Sequence, residues 1–412
     1  MQHISSKLIH GIPDNSDNIN HRSLKTPIYE TASFDFETTE EMESAFKGES
    51  DAFTYSRITN PTVSELEKRL KLFGGAAHCL CVSSGMAAIS NVFVTLCASG
   101  DNIITSKYLF GNTWSFFAKT LKSFGVEARF VDMEDTKALH QHIDKNTRAI
   151  FLELPTNPQL ILFDVKSIAA IAQQHNIPLV VDNTVLTPYL FNCSNYGVDI
   201  EVFSNTKFIS GGATSIGGAI LVHNSEKWSH IPKLTQDYQK WGSQAFYKRL
   251  YKEIFRNLGA CLSPNSAYLQ LLGLETITLR IDKVCDNTLA VTNFLANHPN
   301  VKQTNSPLLP DSTYHDRANE LTGGKTGCLI NFELENKTTC YRFMDALKMI
   351  RRGTNFCDNK SMIIHPASTI YWDLTVSEKE EMRISEGMIR LSVGLENVQD
   401  IIDDINQALK HC

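Results

Sequence analysis

The segment 179–218 contains two short apolar runs that each end in polar side chains, and it constrains the fold more than any other segment. The first run leads directly into Asp182, and the second is followed by Ser204, Thr206 and Lys207. In open α/β sheets, ligands bind in the crevice beyond the carboxyl ends of the strands. We therefore expect two buried strands of one sheet that place an acid and an amine at the same crevice.

Lys207 offers the most specific chemistry in this segment. A lysine amine forms a Schiff base with carbonyl compounds once burial or a neighbouring cation lowers its pKa. Pyridoxal phosphate needs such a lysine, a carboxylate for its pyridinium nitrogen and donors for its phosphate. Alone, Asp182 is typical of a helix cap or a turn, and Ser-x-Thr-Lys is typical of a solvated loop. The cofactor hypothesis therefore depends on motifs in the rest of the chain.

Length, charge and cysteine use argue against several classes of protein. The 412 residues are enough for two domains, and a net charge of −6 without a basic stripe argues against a nucleic-acid partner. No apolar run approaches the roughly 18 residues of a membrane helix. The ten cysteines include no C-x-x-C pair, and together with the lack of a recognisable secretory leader this favours the cytoplasm. Cys79 and Cys81 are interpreted as core residues rather than metal ligands, and no metal is expected.

A Tyr-x-Arg pair lies just before the first strongly predicted helix, which begins at Asn60-Pro61. The phenol of Tyr55 and the planar guanidinium of Arg57 are well suited to a phosphate dianion. On its own, however, the pair is more typical of solvent-facing side chains.

Two predicted strands lead into turns that suit a flat, anionic ligand. The strand 79–82 is followed by a small-residue turn and a helix, which directs the backbone N–H groups of Gly85 and Met86 at an anion. A tight turn without a ligand is the alternative. Phe110 follows the next strand, where its ring either packs in the core or faces a planar cofactor.

Two further candidate site residues are a polar side chain just after one predicted strand and a charged side chain inside another. Asn157 is presented by a proline-bounded turn after the strand 149–154, and Arg390 lies inside the apolar strand 388–393. A buried arginine is costly unless it meets an anion, such as a substrate carboxylate. The alternative is a structural ion pair with a buried acid.

Alternating strands and helices favour an α/β fold with a mostly parallel sheet covered on both faces. We expect an extended N-terminal arm at 1–60 that contacts a neighbouring subunit, a cofactor-binding α/β domain at 61–258, and a smaller α+β domain at 259–412. Residues 222–257 are interpreted as an irregular excursion that borders a pocket. One long helix is predicted from 262 to about 296.

Taken together, the chain resembles the Cys/Met-metabolism family of pyridoxal-phosphate enzymes, which includes cystathionine γ-synthases, γ-lyases and homoserine-ester sulfhydrylases. The resemblance covers nearly the whole chain. It rests on five motifs, which are Tyr-Ser-Arg-x-x-Asn-Pro-Thr at 55–62, Ser-Ser-Gly-Met-Ala-Ala at 83–88, Val-Asp-Asn-Thr at 181–184, Ser-x-Thr-Lys at 204–207 and Ile-Arg-Leu-Ser-Val-Gly-Leu-Glu at 389–396. It implies the fold of the aspartate-aminotransferase type (fold type I) and a homotetramer built as a dimer of dimers.

The resemblance also implies roles for individual residues. Lys207 would hold the cofactor and move protons, Asp182 would keep the pyridine nitrogen protonated, and Arg390 would bind the carboxylate of the amino acid. The implied cofactor-binding residues are Lys207, Asp182, Gly85, Met86, Phe110, Ser204, Thr206, and, from the neighbouring subunit, Tyr55 and Arg57. The implied substrate-binding residues are Arg390, Asn157 and Asn355.

One departure from the family pattern carries information about the substrate. Phe110 stands where most of the family has a tyrosine stacked over the cofactor ring, so the stacking is kept and the phenol is lost. A thiolate leaving group benefits from a general acid by roughly 10²–10⁴-fold, whereas acetate or succinate leaves from an ester without one. Asn112 also replaces a cysteine of methionine γ-lyases, and Asn355 replaces a serine that is usual in lyases and cystathionine synthases. Residues 257–276 are similar to the O-acetylhomoserine sulfhydrylase branch.

The sequence therefore predicts γ-replacement on O-acetylhomoserine. Lys207 would remove protons from Cα and Cβ, acetate would leave from Cγ, and sulfide or a small thiol would add to give homocysteine or methionine. The acyl group, the sulfur donor and the biological role, methionine synthesis or sulfide scavenging, stay open.

Three alternatives remain at this point. The first two are a methionine or cystathionine γ-lyase and an O-succinylhomoserine sulfhydrylase. The third, a non-catalytic relative, is disfavoured because Lys207, Asp182 and Arg390 are all present. Ile370-Tyr371 replaces the Thr-His that is common in the family, which leaves the shape of the substrate pocket open.

Overall fold

The computed structural model describes residues 3–11, 23–223 and 225–412, and its larger β-sheet has seven strands in this part of the chain. These strands are β1 His78–Val82, β2 Asn102–Ser106, β3 Glu127–Val131, β4 Thr147–Glu153, β5 Leu179–Asp182, β6 Ile200–Phe203 and β7 Gly218–Val222. Their order in the sheet is β1-β7-β6-β5-β4-β2-β3. The strands from β6 to β3 are parallel, and β7 is antiparallel to both β6 and β1. The predicted mostly parallel sheet is confirmed.

A second, smaller sheet is formed by the C-terminal part of the chain. Its strands are β8 Gln303–Asn305, β9 Leu329–Glu333, β10 Arg351–Arg352, β11 Met362–Ile364 and β12 Met388–Ser392, in the order β10-β11-β12-β9-β8. Arg390 lies in the middle of β12, opposite Asn331 of β9 and Ile364 of β11. The predicted C-terminal α+β arrangement is therefore confirmed, while the three domain boundaries stay a prediction.

Helices cover both faces of the large sheet and one face of the small one. The α-helices in the described chain are Ile4–His10, Thr39–Lys47, Pro61–Gly74, Gly85–Leu96, Gly111–Ser115, Thr136–Gln141, Val165–Gln174, Thr187–Leu190, Thr235–Trp241, Ala245–Arg249, Arg256–Leu258, Pro264–Glu275, Ile277–Ala296, His315–Thr322, Lys337–Ala346, Val376–Glu381 and Val398–Leu409. Phe116–Leu121 and Leu250–Phe255 are π-helical, and short 3-10 turns lie at Cys193–Asn195, Phe208–Ser210, Glu226–His230, Pro232–Leu234, Gly242–Gln244 and Pro366–Ser368. Within the described ranges, no helix is long and apolar enough to cross a bilayer.

Strand β1 shows how the sheet divides the core into two layers. Leu80 and Val82 pack in one apolar cluster, and Cys79 and Cys81 pack in another on the opposite face. This is the alternation that a strand with both faces covered requires. The interpretation of the two cysteines as core residues is confirmed.

Two regions contain more helix than we expected. The polar segment 1–60, predicted as an extended arm, includes the helices Ile4–His10 and Thr39–Lys47; its residues 1–2 and 12–22 lie outside the described part. The interpretation of 222–257 as irregular is wrong, because most of its described residues are in helical turns. Trp228 and Phe246 stack at 5.0 Å in the core, so burial of these large rings decided the structure there.

The long helix predicted from 262 to 296 is instead two helices that meet at Thr276. The first passes very close to the loop that carries Lys207, and Gly273 is the point of contact. A Cβ atom on Gly273 would lie 2.1 Å from the carbonyl oxygen of Ile209 and 2.6 Å from the amide nitrogen of Gly211. The absence of a side chain at Gly273 therefore lets the helix support the lysine loop.

We expect Gly273→Ala to lower the free energy of unfolding by about 1–3 kcal/mol, because backbone atoms of the lysine loop must move to admit a methyl group. Urea denaturation measures the change. Asn265→Ala, at an exposed position of the same helix, is the control and should stay within about 0.5 kcal/mol of wild type. Equal stability of Gly273→Ala and wild type would contradict the close contact.

Candidate active site

A cavity of about 210 Å³ lies beyond the carboxyl ends of β4, β5 and β6. The parallel pairing aligns these ends, since Glu153 is opposite Asp182 and Asp182 is opposite Val202. Most of the predicted site residues line this cavity: Gly85, Met86, Phe110, Asn157, Asp182, Ser204, Thr206 and Lys207.

A wider depression of about 450 Å³ lies at the opposite edge of the sheet, where β6 begins. Asp199, His223 and Lys227 are among its lining residues, and the Lys227 amine is 2.7 Å from the Asp199 carboxylate. Its buried lysine is thus already neutralised, and none of the predicted residues lies there. We assign the site to the smaller cavity.

Lys207 lies in the loop that turns back from β6 into β7. Its amine donates a hydrogen bond to the side-chain oxygen of Asn355 and is 4.3 Å from the centre of the Phe356 ring. Burial lowers the pKa of Lys207 to about 8, and the positive charge of Arg390 acts in the same direction. A substantial fraction of this amine is therefore neutral, and nucleophilic, at mildly alkaline pH.

Asp182 is the last residue of β5 and accepts a hydrogen bond of 3.0 Å from the backbone N–H of Thr184. Burial raises its pKa to about 6, while the hydrogen bonds from Thr184 and the charge of Lys207 oppose that rise. The carboxyl is thus mostly ionised at neutral pH. It provides a buried negative charge that can pair with a cation in the cavity.

The helix Gly85–Leu96 points its N-terminus at the same cavity. Ser84 caps the helix by accepting the N–H of Ala87 at 3.0 Å. A Cβ atom on Gly85 would lie 2.8 Å from the Cβ of Ser204, so only glycine allows this approach. The first N–H groups of a helix and its macrodipole favour an anion at this position.

Arg390 is almost completely buried, and its guanidinium is bonded only to neutral groups in the described chain. It donates to the side-chain oxygen of Asn157 at 3.3 Å and to the carbonyls of Thr354 and Asn355 at 3.3 and 3.1 Å. Burial lowers its pKa to about 10. Its Nε and the Asn157 Nδ2 are buried without a hydrogen-bond partner. The structural ion pair that was the alternative for this arginine is not found among these residues, and an anionic ligand would complete its bonding.

Tyr55 and Arg57 do not line the cavity of their own chain. Tyr55 is 43% exposed, and the Arg57 guanidinium lies 5.6 Å from its ring centre and donates to the carbonyl of Arg256. Their proposed action on the neighbouring subunit stays a prediction.

A model of the Cys/Met metabolism PLP-dependent enzyme family matches residues 5–410. The chain belongs to this family. It is 36% identical to the L-methionine gamma-lyase of Pseudomonas putida over 94% of this chain and 93% of that one. It is 35% identical to the O-acetyl-L-homoserine sulfhydrylase 1 of Thermus thermophilus over 94% and 95% of the two chains.

Solved structures of similar proteins agree with this assignment. A Campylobacter jejuni chain described as an O-acetylhomoserine (thiol)-lyase, which carries a pyridoxyl-lysine phosphate, superposes with a TM-score of 0.94 at 34% identity and covers 99% of this chain and 100% of that one. The O-acetylhomoserine sulfhydrylase of Wolinella succinogenes superposes with a TM-score of 0.76 at 46% identity, over 85% and 96% of the chains. The predicted family, fold type and cofactor are confirmed.

The cavity of this Cys/Met-metabolism enzyme fits pyridoxal phosphate. A helix N-terminus is available for the phosphate, a buried lysine of lowered pKa for the aldehyde, and a buried carboxylate for the pyridine nitrogen. Phe110 supplies a ring at the cavity wall. The roles of the individual residues remain predictions from the family resemblance, with which this geometry agrees.

Several residues that line the cavity were not among the predicted site residues, and Glu153 and Phe356 are the two with most bearing on its chemistry. Glu153 ends an apolar strand in the same way as Asp182, so the pattern that identified one acid could have identified both. Burial, followed by the charge of Asp182, raises the pKa of Glu153 well above its usual range. The Phe356 ring lies 4.3 Å from the Lys207 amine and 5.2 Å from the Arg390 guanidinium, and no periodic pattern indicated these contacts.

We expect Lys207→Met to stabilise the cofactor-free protein at pH 7 by about 1–3 kcal/mol, because a buried lysine of lowered pKa costs free energy when it is charged. The cost is complete below the folded pKa of about 8. It disappears as the pH rises towards the unfolded value near about 10.4. Urea denaturation of both apoproteins at pH 7 and pH 10 measures the effect.

The control for this prediction is Lys302→Met, at an exposed lysine, which should change stability by no more than about 0.5 kcal/mol at either pH. A wild-type apoprotein as stable as Lys207→Met at pH 7 would show that the lysine is not buried as described.

Proposed function

We propose that the chain is an O-acetylhomoserine sulfhydrylase, which replaces the acetoxy group at Cγ with sulfide or a small thiol to give homocysteine or methionine. The proposal rests on one observation, which is that the aromatic residues lining the cavity are phenylalanines. Phe110 and Phe356 line it, and neither has a hydroxyl group. The names of the Thermus and Wolinella relatives support the same activity.

Pyridoxal phosphate, when bound, supplies the electron sink that makes the Cα and Cβ protons of the amino acid acidic. Lys207 is the base for these protons, because a pKa of about 8 allows it both to accept and to return them near neutral pH. The ionised Asp182 holds a proton on the pyridine nitrogen. Arg390 binds the substrate carboxylate through guanidinium N–H groups that have no acidic partner in the described chain.

The leaving group decides between the two main reactions of the family. A thiolate leaving from Cγ needs a proton donor, which is typically worth about 10²–10⁴-fold, whereas acetate is a stable anion that leaves unaided. The Glu153 carboxyl faces the loop rather than either ring, because its two oxygens lie 2.9 and 3.1 Å from the backbone nitrogen of Phe110 and accept its N–H. The cavity wall described here therefore favours an ester substrate.

We further propose that the enzyme is a cytoplasmic homotetramer, a dimer of dimers, with a role in methionine biosynthesis. The exposure of Tyr55 and Arg57 supports a site shared between subunits, since both side chains lie at the surface of their own chain. All ten cysteines are free thiols, which supports a reducing compartment.

The second candidate is a methionine γ-lyase, which the similarity to the Pseudomonas putida enzyme favours. Purified holoenzyme should be offered acetyl-, succinyl- and phosphohomoserine, each with sulfide, and methionine alone. We expect homocysteine mainly from the acetyl ester and little 2-oxobutanoate from methionine. Oxobutanoate from methionine at a rate equal to homocysteine formation would reject the sulfhydrylase proposal in favour of the lyase.

We expect Phe110→Tyr to increase methionine cleavage by about tenfold or more, because it adds a phenol that can protonate a leaving thiolate. Turnover of acetylhomoserine should change by less than threefold, roughly the scatter of single substitutions that keep stacking. Phe356→Tyr is the matched control, since it adds the same hydroxyl to the other ring of the cavity. An equal gain in both variants, or none in Phe110→Tyr, would remove the leaving-group argument.

A further inference from the structure

Tyr371 is a buried tyrosine outside the cavity whose hydroxyl group reaches two loops of the site. Its oxygen is 3.0 Å from the carbonyl of Leu109 and 3.0 Å from the carbonyl of Asn157. The side chain is 1% exposed, and burial raises the pKa of its phenol well above the usual range, so the hydroxyl keeps its proton and donates.

One of the two loops that Tyr371 contacts, the one that carries Phe110, is also held by Glu153. Its carboxyl accepts the N–H of Phe110, with its two oxygens 2.9 and 3.1 Å from that nitrogen. The Leu109 carbonyl and the Phe110 N–H belong to one peptide unit. This unit is thus held at its oxygen by Tyr371 and at its nitrogen by Glu153, and the carbonyl of Asn157 is bonded by the same Tyr371 hydroxyl.

Both loops carry groups that face the ligand space. Phe110 places its ring at the cavity wall, and the Asn157 side chain accepts from Arg390 while its own Nδ2 has no partner. The relative position of the ring and of the Asn157–Arg390 pair therefore depends on how the two backbones are held.

The tyrosine itself is anchored independently of the large sheet. Its ring packs in a small apolar cluster with Ala367, Leu374 and Met382, and its N–H donates to the carbonyl of Pro366 at 3.1 Å. A Cβ atom on Gly111 would lie only 2.7 Å from the carbonyl oxygen of Ile370, the residue before Tyr371. This segment therefore also packs closely against the helix that follows Phe110.

We propose that Tyr371 is a positioning residue, whose hydroxyl group aligns the ring of Phe110 with the carboxylate-binding pair Asn157–Arg390. It acts through backbone carbonyls and does not touch the ligand. This inference rests on the proposed function only in taking an α-amino acid as the ligand, and it is independent of which group leaves from Cγ.

The test is the binding of L-norvaline, an amino acid without a leaving group, to the holoenzyme by isothermal titration calorimetry. We expect Tyr371→Phe to raise its dissociation constant about fivefold to tenfold, the equivalent of one lost hydrogen bond. In turnover assays the KM of the amino-acid substrate should rise by a similar factor, with the KM of sulfide unchanged.

Tyr314→Phe is the matched control, because its buried hydroxyl donates to Glu134 at 2.9 Å, away from the cavity. It should lower the melting temperature as Tyr371→Phe does and leave norvaline binding within about twofold of wild type. Equal affinity of Tyr371→Phe and wild type, or equal weakening in both variants, would overturn the proposal. Absence of sulfhydrylase turnover in wild type, with the norvaline difference intact, would instead reject the proposed function.

A second measurement needs no variant. In wild-type holoenzyme, the amide of Phe110 should exchange with deuterium at least about tenfold more slowly than that of exposed Asn112 in the next helix, because it donates to Glu153 in a peptide unit whose carbonyl is bonded by Tyr371. Mass spectrometry with residue-level fragmentation resolves these sites. Rapid exchange at Phe110 would show that this peptide unit is not held between Glu153 and Tyr371.

Discussion

The burial of charged groups at the carboxyl ends of β4, β5 and β6 is the constraint on which the rest of the structure depends. Lys207, Asp182 and Arg390 meet there, and their hydrogen bonds go to amides and carbonyls rather than to opposite charges. Buried charges without opposite partners cost free energy. A cofactor with a cationic ring and an amino acid with a carboxylate supply those partners, so the site is completed by its ligands.

Close approaches of backbone segments help the surrounding fold to keep these groups in place. The helix Pro264–Glu275 supports the lysine loop through the close approach at Gly273, and the helix Gly85–Leu96 reaches Ser204 because Gly85 has no side chain. The β12 strand of the small sheet brings in Arg390. Both sheets are thus required for one cavity, which explains why the motifs are spread over nearly the whole chain.

Much of the site could be predicted because several of its residues follow directly after recognisable strands or begin a helix. Asp182, Gly85 and Asn157 are found in this way, and β-strand alternation is a local property of the sequence. Residues 222–257 were not predicted correctly, because their short helical turns are stabilised by burial of Trp228 and Phe246 rather than by a periodic pattern. Tyr371 was noticed only as a departure from a motif, and nothing in its neighbours indicates that it contacts residues 109 and 157.

The sequence by itself determined the α/β class with its mostly parallel sheet, the acid and the amine of the cavity, and the family, since each depends on residues close together in the chain. Only the tertiary structure decided which side chains surround the Lys207 amine and how the two loops of the cavity are held. Phe356 and Asn355 lie about 150 positions from Lys207, and contacts over such separations arise from the packing of the two sheets. No local pattern encodes them.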